Sequence, residues 1–280
     1  MSWVSASDSV DLGDHFCVLT ASDEERAAAI STVVADGLAG GQLVMVLTSA
    51  APPSTMADVL ADRVPGATSA LDRGQVRVLP AQEIYLTGGQ FDPRVCATMA
   101  ACIDEALRRG YAGLQVAADM TWVQSSEVDT ADLVEYETAV NALALDGHAS
   151  GACLYDQDAT ATDLMRVLIQ SHPATTRRLP ATPQLRLRRT REPYGITLVG
   201  EADVSNRRAV QSMLDTAVDG HSDRGGPLVV DLTGLQHADA TIGASLVSLA
   251  ERVPAGVRFV GCHGAVALLF EYLEFRHPLG

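Results

Sequence analysis

The sequence predicts an α/β protein of two domains, a layered domain on a mostly parallel sheet followed by a small βαβαβα domain. Short apolar runs alternate with helical stretches along the chain, the rhythm of a parallel sheet covered by helices. At 280 residues the chain is long for one compact core. Between Pro173 and Glu192 the composition also changes: Pro173, Pro180 and Pro183 punctuate the stretch, and Arg177, Arg178, Arg186, Arg188, Arg189 and Arg191 crowd it. These features divide the chain into a flexible lead-in (1–13), a first domain (14–175), a linker with an edge strand (176–190) and a second domain (191–280).

In the first domain, His15 to Leu19 reads as a short buried strand. Ser22 with Glu25 three residues later forms a capping box that opens a helix from Asp23 to about Leu38, ended by Gly37, Gly40 and Gly41. Gln42–Leu47 is the next strand, Asp58–Arg63 a short helical piece and Gln75–Leu79 a strand. Asp92-Pro93 opens a helix to Arg109, stopped by Gly110. Gly113–Ala118 is a strand ending at Asp119, Thr130–Leu145 a helix, Ala152–Tyr155 a strand and Thr162–Gln170 a helix. The Arg-rich run Gln184–Arg189 reads as an edge strand whose charges resist unwanted pairing, with a basic partner contact as the alternative. Strands follow at Gly195–Gly200, Leu228–Asp231 and Val257–Cys262, and helices at Ser205–Val218, Thr241–Arg252 and Gly264–Leu273.

A net charge of −15 argues against a non-specific grip on nucleic acid or on an anionic membrane. All 20 basic residues are Arg, which reflects base composition rather than function. No apolar run is long enough to span a bilayer, and the acidic start MSWVSASDSVDLGDH lacks the basic region of a secretory signal. Cys17, Cys96, Cys102, Cys153 and Cys262 are scattered, without a CxxC pair, so a reduced, cytoplasmic protein with no structural zinc and no metal or cofactor site is expected.

Two stretches invite chemistry. Leu228–Leu246 reads as buried strand, short turn-prone loop Leu232-Thr233-Gly234, and a helix whose first turn carries Thr241. A hydroxyl there is well placed to accept phosphate, because free amides and the helix dipole stabilise the added charge. Asp239 and Thr241 as plain capping residues are the alternative. In the first domain, the turn Leu19-Thr20-Ala21-Ser22-Asp23-Glu24-Glu25-Arg26 has neither the glycines nor the Lys of a phosphate loop, and three carboxylates stand where an anion would sit. Triphosphate binding by that route is excluded. Asp119, Trp122, His15, Cys17, Tyr85, Glu137 and Tyr155 are the ligand candidates for the carboxyl edge of the sheet, each also explicable as core or rim. Spacing assembles no catalytic triad, so no catalytic residue is assigned.

The combination of His15, Tyr85 with Gly88-Gly89-Gln90-Phe91-Asp92-Pro93, Gly110-Tyr111-Ala112-Gly113-Leu114, Ala118-Asp119-Met120-Thr121-Trp122, Tyr136-Glu137, Cys153-Leu154-Tyr155-Asp156 and His172-Pro173 resembles the MEDS sensory domain over about residues 13–175. That resemblance implies a RecA-like fold without its phosphate loop, sensing small molecules such as hydrocarbon derivatives. From about Pro183 onward the chain resembles STAS domains of the anti-sigma-factor-antagonist type. Val199-Gly200-Glu201-Ala202-Asp203 matches the early segment, Val230-Asp231-Leu232-Thr233-Gly234 the central strand, and Asp239-Ala240-Thr241-Ile242-Gly243-Ala244 the phosphorylation loop. Ala240 replaces the first Ser of the family loop and Ile242 a Gly, which stiffens and crowds it.

The resemblances imply a regulatory, non-enzymatic protein. Its second domain would bind an anti-sigma factor of GHKL-type kinase fold through Asp203, Asp239, Ala240, Ile242 and Gly243, and phosphorylation at Thr241 would release it. The first domain would bias this switch through an unidentified small molecule. Two rival expectations are a docking module without phosphorylation and a small-molecule enzyme using Asp119, His15 or Cys17. Direct binding of nucleic acid or membrane is not expected, and self-association is left open.

Overall fold

The computed structural model describes residues 9–92, 95–124, 128–222 and 224–273. The expected Pro93 helix start and the first eight residues of the lead-in lie outside them. Along the first domain run β1 (His15–Thr20), α1 (Asp23–Ala39), β2 (Leu43–Thr48), α2 (Pro53–Arg63), α3 (Ala67–Asp72), β3 (Val76–Pro80) and α4 (Ala81–Tyr85). A small hairpin follows, β4 (Leu86–Thr87) with β5 (Gln90–Phe91), then α5 (Val95–Arg108) and β6 (Leu114–Asp119). A 3-10 turn (Met120–Gln124) leads to α6 (Thr130–Leu145), β7 (Ala149–Asp156), α7 (Thr162–Ser171) and β8 (Ala174–Thr176).

These strands form one six-stranded sheet in the order β3-β2-β6-β7-β1-β8, with every paired neighbour parallel. The strands are nearly continuous apolar runs because helices cover both faces. Phe16, Val18, Val44, Val46, Ala117 and Leu154 pack under α1–α3, and Cys17, Leu19, Met45, Leu47, Cys153 and Tyr155 pack under α4–α7.

The second domain consists of β9 (Leu185–Arg191), β10 (Tyr194–Ala202), α8 (Arg207–Asp219), β11 (Leu228–Ala238), α9 (Ala240–Arg252), β12 (Val257–Val260) and α10 (Gly264–Tyr272). Its sheet order is β12-β11-β10-β9. The three strands of the expected βαβαβα unit are parallel, and the Arg-rich edge strand β9 runs antiparallel to β10.

Several expectations are corrected. The short piece before Arg63 is a full helix begun by Pro53 at its first turn, where a missing N–H costs nothing. The loop expected at Leu232-Thr233-Gly234 is part of β11, which runs on to Ala238 through two register shifts against β10. Gly234 allows this: a Cβ there would lie 2.8 Å from the Val199 side chain. Residues 9–13, expected within a flexible lead-in, are tied down. Val10 is buried and donates its amide to Asp36 Oδ2 at 3.0 Å, and Gly13 donates to the Ala149 carbonyl at 2.6 Å.

The two domains share a firm interface. Asp14, buried beside His15, accepts from Arg186 Nε at 3.1 Å and from Arg188 Nη2 at 2.6 Å, both on β9. Leu145, at the end of α6, belongs to the second domain's core together with Leu187, Val210 and Leu214. Both α6 and α7 pack on α8.

Candidate functional site

Register decides which side chains meet on the α4–α7 face of the large sheet. His15 lies opposite Gly151, Cys17 opposite Cys153, and Leu19 opposite Tyr155. Alternation along each strand therefore sends His15, Cys17, Cys153 and Tyr155 to one side. Helix α6 lies over them and buries Leu133, Glu137, Asn141 and Ala144, a spacing that aims one stripe at the sheet. Helix α7 stops at His172, its C-cap residue.

The result is a sealed polar group. His15, Glu137, Cys153 and His172 are all buried, and each brings one potential ligand atom to within 4.8 Å of the others. Glu137 Oε2 lies 3.3 Å from His15 Nε2, 3.2 Å from His172 Nε2 and 3.8 Å from Cys153 Sγ. His15 Nε2 lies 3.4 Å from Cys153 Sγ. Outer contacts orient His15, His172 and Glu137. Asn141 donates Nδ2 to the Ser171 carbonyl at 2.7 Å, which turns its Oδ1 toward His15 Nδ1 at 2.9 Å. His172 Nδ1 meets the Leu168 carbonyl at 2.7 Å. The Tyr155 hydroxyl donates to Glu137 Oε1, leaving Oε2 to face the imidazoles.

Two oxygen acceptors thus hold the Nδ1 side of both rings, which turns both Nε2 atoms inward toward Glu137. Burial opposes a charge on Glu137, but His172 and His15 outweigh it and hold its carboxyl below the usual range. Burial, helped by the neighbouring His172, pushes His15 toward its neutral form against the pull of Glu137. Burial and the Glu137 charge keep the Cys153 thiol and the Tyr155 hydroxyl protonated.

Next to this group lies a narrow apolar cavity of about 40 Å³, with His15, Cys153, Tyr136, Val140, Met99 and Ile103 in its wall. That space takes a water or a molecule of a few heavy atoms.

Of the sequence candidates, the fold brings His15, Glu137 and Tyr155 together, and Cys17 sits buried opposite Cys153. They lie in the layer between sheet and helices; His15 is at the opposite end of β1 from the carboxyl edge where it was expected, whereas Tyr155 stands at the carboxyl end of β7. Tyr85 and Trp122 are both buried and stacked with centroids 4.9 Å apart, and the Tyr85 hydroxyl meets that of Tyr136 at 3.0 Å. Asp119 does end β6, but it is a closed structural centre. Oδ2 accepts from the Ser49 and Ala50 amides, and Oδ1 from the Thr121 amide and hydroxyl. Cys153 and His172 were not singled out as site residues. The four members come from β1, α6, β7 and the end of α7, so no local spacing announces the group.

The first turn of α1 behaves as expected. Ser22 accepts from the Glu25 amide, and Glu25 folds back to take the Ala21 amide at 2.7 Å. The chain's own carboxylate thus fills the place of an anion.

In the second domain, Asp239 caps α9 by accepting from the Ile242 amide at 2.9 Å, and Thr241 is exposed in the first turn. The Asp239 amide donates to the Ala202 carbonyl at 3.2 Å. This joins the α9 start to the loop in which Asp203 holds the Ser205 amide at 2.7 Å. Two of the expected partner contacts are corrected: Ile242 and Gly243 are buried. Ile242 does not crowd an exposed loop, because its side chain enters the domain core. A Cβ at Gly243 would lie 2.6 Å from Leu269, so the glycine permits close packing of α9 on α10. The exposed surface of this turn is Ala240, Thr241 and Ala244, with Val204 nearby in sequence to Asp203.

Architecture and site define a two-domain α/β protein without a phosphate loop, its larger domain holding a sealed polar group and its smaller one an exposed helix start. Residues 14–173 match the family model of MEDS, the methanogen/methylotroph DcmR sensory domain, and the chain belongs to that family. Residues 185–279 match a second model, the Mlab-type STAS domain. A search of curated proteins found no match. Among solved structures, the flagellar accessory protein FlaH from Methanocaldococcus jannaschii is similar at 10% identity over 65% of this chain and 74% of that chain, with a TM-score of 0.41. No helix among the described residues is long and apolar enough to cross a membrane.

Proposed function

We propose that the chain is a non-enzymatic cytoplasmic regulator, an anti-sigma-factor antagonist whose first domain reads a small molecule. The second domain would bind an anti-sigma factor of GHKL-type kinase fold in its unphosphorylated form and lose it when Thr241 is phosphorylated. The observation that supports this most is the exposure of Thr241 in the first turn of α9, at the positive end of a 13-residue helix. A phosphate there adds about −1.5 to −2 charge to a face otherwise made of Ala240 and Ala244. A partner surface shaped for a neutral hydroxyl would reject it.

Three contacts support communication between the domains. Helix α6 lines the apolar cavity with Val140, Leu143 and Ala144 and inserts Leu145 into the second domain's core. Asp14, adjacent to His15, is clamped by Arg186 and Arg188. Asn206, at the start of α8, donates to the Pro173 carbonyl next to His172 at 3.4 Å. A ligand that fits the cavity better in one arrangement of α6 would bias the second domain by that difference in affinity.

The Asp239 carboxylate favours a second reading, a docking module without phosphorylation. It already occupies the Ile242 amide that an incoming phosphate would use, and it repels a second anion. Incubating the full chain with a GHKL-type anti-sigma kinase of the same organism and ATP separates the two. Under the first reading the wild type is labelled, Thr241→Ala is not, and Thr241→Glu loses binding. Equal labelling of Thr241→Ala removes the assignment of this residue, and equal binding by wild type, Thr241→Ala and Thr241→Glu establishes the docking module.

A further inference from the structure

We infer that His15 Nε2, Glu137 Oε2, Cys153 Sγ and His172 Nε2 form a buried binding site for one borderline-soft divalent transition metal ion, zinc(II) foremost. Lone pairs carry the argument. Both imidazoles spend their Nδ1 proton on a fixed acceptor, Asn141 Oδ1 and the Leu168 carbonyl, at 2.9 and 2.7 Å. Fixing the tautomer through the outer nitrogen is how metal-ligating histidines are held. The inner nitrogens then face a carboxylate oxygen and a sulfur. His172 Nε2 is buried and, among the described residues, meets no hydrogen-bond partner of good geometry, although Glu137 Oε2 lies 3.2 Å away. A nitrogen lone pair and a carboxylate oxygen pointed at each other in a buried interior repel unless a proton or a metal cation stands between them.

The spacing fits such a cation. Bonds of about 2.0–2.3 Å to nitrogen, oxygen and sulfur give tetrahedral ligand–ligand edges of about 3.3–3.7 Å. Four of the six edges are 3.2, 3.3, 3.4 and 3.8 Å, and the other two are within 4.8 Å, so a bound ion would draw the ligands slightly inward. The donor set of two imidazoles, one thiolate and one carboxylate excludes magnesium and calcium, which need oxygen, and suits zinc. Charge also closes. When the S–metal bond forms, the thiol proton passes to solvent buffer, and one thiolate and one carboxylate neutralise the dication. A neutral centre is what a sealed apolar layer tolerates. Four protein ligands leave no open position, which marks a structural rather than catalytic ion. The site ties β1, α6, β7 and the end of α7 into one unit, and it is filled as the domain folds because every member is buried.

The test uses the full chain, first purified without chelator for elemental analysis. It is then unfolded with chelator and reductant and refolded with cobalt(II) as the only metal. The expected result is about one zinc-class ion per chain as purified, with cobalt giving tetrahedral ligand-field bands and a thiolate-to-cobalt charge-transfer band that zinc(II) bleaches. Cys153→Ser should lose the charge-transfer band, and His172→Gln should retain less than a tenth of the metal. Substoichiometric metal as purified, together with no cobalt spectrum on refolding, overturns the site. A charge-transfer band that survives Cys153→Ser overturns it as well, and neither of these results depends on how well His172→Gln folds.

Discussion

Two buried carboxylates lie on the same sheet and are satisfied in opposite ways. Asp119 at the end of β6 is met by hydrogen-bond donors alone: the amides of Ser49, Ala50 and Thr121 and the Thr121 hydroxyl, at 2.7–3.1 Å, with Arg26 Nε 3.7 Å away. Its lone pairs are used up by its own loops. Glu137 on α6 receives one donor on Oε1, from Tyr155, while Oε2 points at two imidazole nitrogens and a sulfur. One carboxylate closes a loop and the other faces two imidazole nitrogens and a thiol. Burial is alike in both, so it does not separate a structural acid from a ligand; the groups facing each oxygen do.

The sharpest way to break the comparison is to remove the satisfied member. Asp119→Ala leaves three backbone amides without their acceptor, at about 1–3 kcal/mol for each that water cannot reach. Ser49 and Thr121 are half-buried and Ala50 is exposed, so water recovers part of the loss. The expected cost is about 2–4 kcal/mol, read as a lower denaturant midpoint at unchanged slope, with metal content unaltered. Loss of bound metal in Asp119→Ala would join the two centres and end the distinction.

Tyr155→Phe probes the other carboxylate more gently. The ring stays to fill the core and only the hydroxyl that orients Glu137 goes. Stability should fall by about 1–2 kcal/mol, and cobalt affinity by about 10–100-fold, the usual consequence of losing an outer contact to a ligand. A stability loss without any change in affinity would mean that Tyr155 packs but does not orient.

The contrast also explains how much of the molecule could be read in advance. The fold class, the capping box at Ser22 and Glu25 and the absence of a phosphate loop were legible, because each depends on residues within one turn or one strand. His15, Glu137 and Tyr155 were singled out, although His15 stands at the amino end of β1 rather than at the carboxyl edge. Cys153 and His172 were not, because their partners lie up to 157 positions away and meet only through the β1–β7 register and the end of α7. Asp119 misled for the same reason. Two of its three amide donors come from the loop after β2, about 70 positions upstream, and no local pattern announces them. Ile242 looked like a crowding surface residue until helix phase turned it into the core. The helices α3 and α4 and the hairpin are too short for periodicity to register.

A third carboxylate, Glu105 on α5, completes the series at the surface. Arg77 of β3 donates to both its oxygens and Arg109 adds a weaker contact at 3.4 Å. The hydrogen bond from Arg77 lowers the Glu105 carboxyl to about 2. The sign follows from linkage: a depressed carboxyl contributes stability that is present above its unfolded value of about 4.3 and is lost as pH falls toward about 2. The magnitude is small, because the Glu105 and Arg77 side chains are 35% and 32% exposed and solvent screens the pair. Arg77→Gln should therefore cost under about 1 kcal/mol at neutral pH, and almost nothing near pH 2, where the wild-type carboxyl is itself half protonated. Denaturation midpoints of wild type and variant measured between these limits should converge as pH falls. A difference that stays constant would mean that Arg77 contributes through packing of its stem rather than through charge. Exposure would then have cancelled the ion pair entirely, leaving depth in the fold as the variable that sets what each of the three carboxylates can do.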